Sequence, residues 1–247
     1  MNRFKIGLCS VTFRKKSVEE IVKIAEKAHI DFIEWGADVH VRTVEDARKV
    51  RNLCDRSGIK ISSYGSYYNT NATDESEWNN ICRIADKMGA TSVRIWLGKK
   101  DSEKTDYDEY SVMVEHMKNM CDIAAKYNLT VCPECHDNTF NNNTDAFLKL
   151  KNDLQRDNFR TYFQSRYHRM EYDLDRIDRT FEHIENVHVS YRDLKKEQLF
   201  RKKDFRYIDK LLNKLKSKNF DGIIMIEFVD FASEYAFFND VRKLKNF

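Results

Sequence analysis

A short β-rich run, a polar loop and an amphipathic helix recur eight times along this chain of 247 residues, and that repetition leaves few folds open. Strands are expected at 4–9, 31–35, 59–64, 92–97, 129–134, 159–164, 186–190 and 222–228. Each leads into a helical pattern, with the sixth helix at about 174–184 and the last at about 233–244. Ser17 followed by Glu20 reads as a capping box, and Ile21, Ile24, Ala25 and Ala28 form the apolar stripe of the helix it opens. Gly58 supplies a stop for the second helix and Gly89 for the third. Eight β-then-α units of about thirty residues predict an α/β chain folded as a single (β/α)8 TIM barrel over 1–247. A doubly wound sheet is the alternative, but no Gly-rich phosphate loop opens a helix after the first strand. No linker, low-complexity tract or composition shift divides the chain.

Charge and composition narrow the function classes. With 43 basic and 40 acidic residues the net charge is +3, a mixed surface that argues against nucleic acid as the main partner. No apolar run reaches the length of a membrane span. The N-terminal residues show no signal-peptide pattern. Six cysteines without framework spacing read as reduced thiols, so a cytoplasmic location is expected. Cys132-Pro133-Glu134-Cys135-His136 matches haem-attachment spacing in letters alone, since that use normally needs export.

The chemistry concentrates where strands end. In 129–137 an apolar run closes on Glu134 and then His136, which alternation points the same way. Pro133 suits only the last residues of such a strand, with an unusual Cys132–Pro133 bond as one way to fit it. Gln164 and Glu227 likewise close apolar or aromatic runs, and His188 is the inward candidate of the seventh strand. A barrel delivers catalytic groups from the carboxyl ends of its strands. Two acids, an imidazole and an amide on four consecutive strands therefore predict one shared metal or catalytic site. Oxygen ligands with one imidazole suit Mn²⁺, Mg²⁺, Co²⁺ or Zn²⁺.

The chain resembles the xylose-isomerase-like barrel superfamily of sugar isomerases and epimerases, the tagatose 3-epimerase-like group. The resemblance runs through Lys5-Ile6-Gly7-Leu8, Phe32-Ile33-Glu34-Trp35, Met88-Gly89-Ala90, Val93-Arg94-Ile95-Trp96, Glu134-Cys135-His136, Val187-His188-Val189 and Ile226-Glu227. It implies one divalent metal, Mn²⁺ first, held by Glu134, Gln164, His188 and Glu227. It also implies that Glu134 and Glu227 move a proton through a cis-enediolate of a ketose or related polyol. Strand six departs from the pattern. Where the family carries Asp with a His three residues later, this chain has Gln164 and Tyr167, with His168 adjacent.

A supporting cast is expected around that set. His136 and Arg192 are candidates to bind substrate. Glu34 and Arg94 are expected to pair or to reach a sugar. Phe13, Trp35, Tyr64 and Trp96 are candidates for a wall that excludes water. The basic segment 195–206 reads as a solvated face. Absence of a phosphate cradle leans toward an unphosphorylated sugar. A homodimer or homotetramer is compatible with the aromatics near Phe231, Tyr235, Phe237 and Phe238. Rival readings are a DNA-repair hydrolase like endonuclease IV, which would need histidines at the third and fourth strand ends, a non-catalytic sugar-binding barrel, and a lyase such as an inosose dehydratase.

Overall fold

The computed structural model describes residues 4–71, 74–165, 169–191 and 205–247, with the side chains of 205 and 206 excepted. Eight strands and eight helices alternate. They are β1 Lys5–Cys9, α1 Val18–Ala28, β2 Phe32–Gly36, α2 Val44–Arg56, β3 Lys60–Asn69, α3 Glu75–Met88, β4 Ser92–Trp96 and α4 Tyr107–Ala125. They continue with β5 Thr130–Pro133, α5 Thr144–Leu154, β6 Thr161–Gln164, α6 Met170–Thr180, β7 Ile184–Val189, α7 Phe205–Ser217, β8 Ile223–Ile226 and α8 Glu234–Asn246. The strands run in the order β5-β4-β3-β2-β1-β8-β7-β6. Parallel bridges Val131↔Phe159 and Glu134↔Tyr162 join β5 to β6, and the Cys135 amide donates to the Tyr162 carbonyl at 3.2 Å. The result is a single (β/α)8 TIM barrel with all strand ends at one rim.

Local chemistry explains the elements. Ser17 and Glu20 form the expected capping box of α1, and Thr43–Asp46 and Asp106–Glu109 do the same for α2 and α4. Gly58 and Gly89 adopt positive φ (67° and 80°) just past α2 and α3, a conformation that costs glycine little. The main core lies between strands and helices and includes Phe13, Trp35, Tyr64, Trp78 and Phe237. A smaller one fills the barrel interior around Cys9, Val11, Ile223 and Met225. Gly7 makes room for it, since a Cβ there would sit 2.4 Å from the Met225 sulfur.

Three expectations need correction. The helix expected at 174–184 spans Met170–Thr180, because Ile184 already belongs to β7 and alternates with Asn186 and His188. The third strand runs on to Asn69 through a register shift between Gly65 and Tyr68. The Cys132–Pro133 bond is trans. Pro133 ends β5, where no further ladder donor is required of it, and its carbonyl accepts from Thr161 Oγ1 at 2.9 Å. All six cysteines are buried and free. Among the described residues no helix is long and apolar enough to cross a membrane.

Candidate active site

Strand alternation aims one set of side chains into the mouth of the barrel. Cys9 ends β1, Glu34 and Arg94 lie near the ends of β2 and β4, and Glu134 follows β5 directly. Gln164 ends β6, His188 is next to last in β7, and Glu227 follows β8. Register puts Cys9 beside Glu34 and Gln164 beside His188. Glu34, Arg94, Glu134, His188 and Glu227 are all buried. Four of the expected residues thus meet: His188 Nδ1 lies 3.6 Å from Glu134 Oε1 and 3.4 Å from Glu227 Oε2, while Nε2 lies 3.5 Å from Glu34 Oε2.

Arg94 organises this cluster. Its Nε donates to Glu34 Oε1 at 3.1 Å and its Nη1 to Glu134 Oε2 at 2.5 Å. Ser63 Oγ donates to the other oxygen of Glu34 at 2.7 Å, and the Trp96 indole N–H donates to Glu134 Oε2 at 2.9 Å. Gly65 gives the guanidinium its space, because a Cβ there would lie 2.9 Å from Arg94 Nη2. Burial alone would push both carboxyls up. Arg94 and His188 outweigh it, holding Glu34 at about 2 and Glu134 well below the usual carboxylate range. Burial likewise opposes a charged His188, but Cys9, Glu227 and Glu34 hold the imidazole well above 6.5. Burial pushes the Cys9 thiol up to about 12 against the pull of His188. Cys9 is therefore protonated at neutral pH, and the carboxylates supply the charge that favours the imidazolium.

The donor set suits a divalent cation. His188 Nδ1 and Gln164 Oε1 are buried without a hydrogen-bond partner among the described residues, an arrangement that costs stability unless a ligand completes it. Three buried carboxylates against one guanidinium leave two negative charges when the imidazole is neutral, which is the charge of one divalent ion. Cys9, His188 and Glu227 form a group whose ligand atoms all lie within 4.8 Å of one another.

The aromatic surroundings differ in part from expectation. Trp96 stays at the mouth, its indole N–H on Glu134 and its ring stacked on His136 at 4.9 Å between centroids. Tyr67, passed over as a wall residue, places its ring 4.8 Å from the Arg94 guanidinium carbon and edge-on to Trp96. Tyr64 does not line the mouth. It pairs in register with Trp35 and Val93, packs in the outer core, and donates its hydroxyl to the Val41 carbonyl at 2.8 Å. A bulge between Ile33 and Glu34 shifts the pairing, so Ser63 and Gly65 meet Glu34 while Tyr64 and Trp35 point outward. Phe13 packs edge-on against Phe237 in the same outer layer. Glu34 and Arg94 do pair, deep in the mouth. Arg192, Tyr167, His168 and 195–204 lie outside the described residues. Cys9 carried no signal, because a cysteine ending an apolar strand reads as core.

The family model described as a xylose isomerase-like TIM barrel matches residues 22–245. The 3-dehydroshikimate dehydratase of Bacillus anthracis is 22% identical over 167 residues, a match that spans 63% of this chain and 60% of that protein's length. Among solved structures, the probable 3-DHS dehydratase AsbF of Bacillus anthracis superposes with a TM-score of 0.79 at 16% identity, over 97% of this chain and 98% of that one. The 3-keto-D-glucoside 4-epimerase of E. coli superposes with a TM-score of 0.75 at 12% identity, over 99% of this chain and 100% of that one. At such identities the structures establish a shared barrel, and the family match extends over nearly the whole sequence. The chain belongs to the xylose isomerase-like TIM barrel family.

Proposed function

We propose that this protein is a divalent-metal-dependent sugar isomerase or epimerase, moving a proton at a carbon beside a carbonyl of a small polyhydroxylated substrate. The observation that carries this reading is the convergence of Glu134 and Glu227 on one imidazole nitrogen, at 3.6 and 3.4 Å, inside a buried mouth. Glu134, Gln164, His188 and Glu227 would hold the ion, with Mn²⁺ the first choice and Mg²⁺, Co²⁺ or Zn²⁺ also suited. When bound, it supplies Lewis-acid polarisation of the substrate carbonyl.

The chain's own groups divide the remaining work. Glu134 is clamped through Oε2 by Arg94 and Trp96, which leaves Oε1 facing His188 and makes this carboxylate a weak base. Glu227 carries no such clamp among the described residues, so it is the group assigned to take the proton. Glu134, whose Oε1 lies 3.6 Å from the same His188 Nδ1, is assigned to deliver a proton that it first takes up from solvent or a substrate hydroxyl, while Glu227 releases the one it took to solvent. Return to the opposite face of the same carbon gives an epimer, and return to the neighbouring carbon gives an aldose–ketose isomer. Trp96 and Tyr67 shield the ion pairs from bulk water.

A second reading is a dehydratase, favoured by the sequence match to a 3-dehydroshikimate dehydratase. It shares the first proton abstraction and differs in expelling a hydroxyl from the next carbon. One experiment addresses both. Purified protein with Mn²⁺ is incubated in deuterated water with a panel of ketoses, aldoses and 3-dehydroshikimate, and products are read by NMR and mass. Deuterium entry into a sugar supports the first reading, and loss of one water from the cyclic substrate supports the second. Neither event with any compound would refute both. Glu227→Gln should lower exchange on the order of 10²- to 10⁴-fold.

A further inference from the structure

His188 presents two different sides. Its Nδ1 faces the oxygen donors Glu134 and Glu227, whereas its Nε2 faces the sulfur of Cys9 at 3.6 Å beside Glu34 Oε2 at 3.5 Å. Cys9 is wholly buried, and its sulfur, a His188 ring nitrogen and a Glu227 oxygen lie within 4.8 Å of one another. With metal–sulfur and metal–nitrogen bonds of about 2.3 and 2.05 Å, the sulfur–nitrogen edge of a tetrahedral site is about 3.6 Å. That is the separation found between Cys9 and His188.

We propose that Cys9, His188 and Glu227 form a seat for a thiophilic divalent ion such as Cd²⁺, distinct in chemistry from the oxygen-rich seat beside it. Thiolate and imidazole select soft and borderline ions, while carboxylate and amide oxygens select Mn²⁺ or Mg²⁺. On binding, the Cys9 thiol and the His188 imidazolium each give a proton to solvent, and the thiolate and the freed imidazole nitrogen take the ion. Both seats need Glu227, so an ion held in one takes that carboxylate from the other. This exclusion rests on the proposed catalytic seat, whereas sulfur ligation does not. A thiophilic ion therefore acts as an inhibitor that competes with the catalytic ion.

Titration of the metal-stripped full-length protein with Cd²⁺ tests this. One equivalent should produce the ultraviolet thiolate-to-cadmium charge-transfer band, and added Mn²⁺ should move the Cd²⁺ midpoint to higher concentration. Cys9→Ser should abolish the band and weaken Cd²⁺ binding at least on the order of 10- to 100-fold, the loss that follows removal of even an outer partner of a metal ligand. Cys54→Ser, which alters a buried cysteine of the outer core, should keep the band. If Cys9→Ser does not fold, cadmium NMR of the unsubstituted protein decides, since a sulfur ligand gives a distinct shift. A band that survives Cys9→Ser, or tight Cd²⁺ binding with no sulfur signature, would overturn the soft seat. A Cys9-dependent band in a protein that never binds Mn²⁺ would instead overturn the catalytic seat and leave this one standing.

Discussion

One level below the mouth, Tyr162, Ser92 and Asn186 close a neutral set of hydrogen bonds, each 2.9 Å long, in which the Tyr162 hydroxyl joins both neighbours. At the mouth itself, Glu34, Arg94, Glu134, His188 and Glu227 crowd together. Arg94 Nη2, His188 Nδ1 and Gln164 Oε1 there have no hydrogen-bond partner among the described residues. Both levels belong to the same barrel, and both are buried. The lower one satisfies its polar groups and adds to stability. The upper one holds charge and polar atoms without partners, which costs stability. Tyr67 beside Arg94 and Phe228 after Glu227 hold positive φ (55° and 58°), as do the helix C-cap residues His29 and Gln155 elsewhere.

The contrast can be broken most forcefully at Arg94. Arg94→Met leaves Glu34 and Glu134 buried without their cation and should destabilise the protein by about 3–5 kcal/mol in urea melts. A loss below about 1 kcal/mol, the range of exposed pairs, would mean that the mouth is no more charged in effect than the surface.

Acid should dissolve the upper level next. Glu34 is held at about 2 instead of its ordinary 4.5. A depressed carboxyl contributes stability that is present above 4.5 and lost as pH falls through about 2. That shift corresponds to about 3 kcal/mol. Unfolding free energy of the metal-free protein, measured across this window, should fall accordingly, and Glu34→Gln should flatten the profile.

Changes elsewhere should be smaller and should spare ion binding. Tyr162→Phe leaves Ser92 and Asn186 short of a partner, and about 1–2 kcal/mol is expected from thermal melts with Mn²⁺ affinity unchanged. Tyr64→Phe removes only the bond to the Val41 carbonyl, about 1 kcal/mol. A change in substrate KM on Tyr64→Phe would return this residue to the mouth and undo its assignment to the outer layer.

Much of this was legible in the linear chain. Ser17 with Glu20 announced α1, Gly89 marked the end of α3, and polar groups closing apolar runs marked Glu134 and Glu227. Those signals are local, written within a turn or a strand. Tyr64 was misread because a bulge breaks strict alternation, and nothing in Ser62-Ser63-Tyr64-Gly65 announces where alternation fails. The Glu34–Arg94 pair was foreseeable from two strand ends. That Arg94 would also clamp Glu134, and that Cys9 would face His188, was not, because each needs a distance between strands far apart in sequence.

The amino-acid sequence alone therefore determined the number of β/α units, their order, and which residues stand at strand ends, since side-chain periods of two and 3.6 are properties of neighbouring residues. Only the closed barrel decided which of those ends touch. Joining β5 to β6 and β1 to β8 brings Cys9, Glu134, His188 and Glu227 around one point, and charges so close in a dry interior take their ionisation from one another rather than from water.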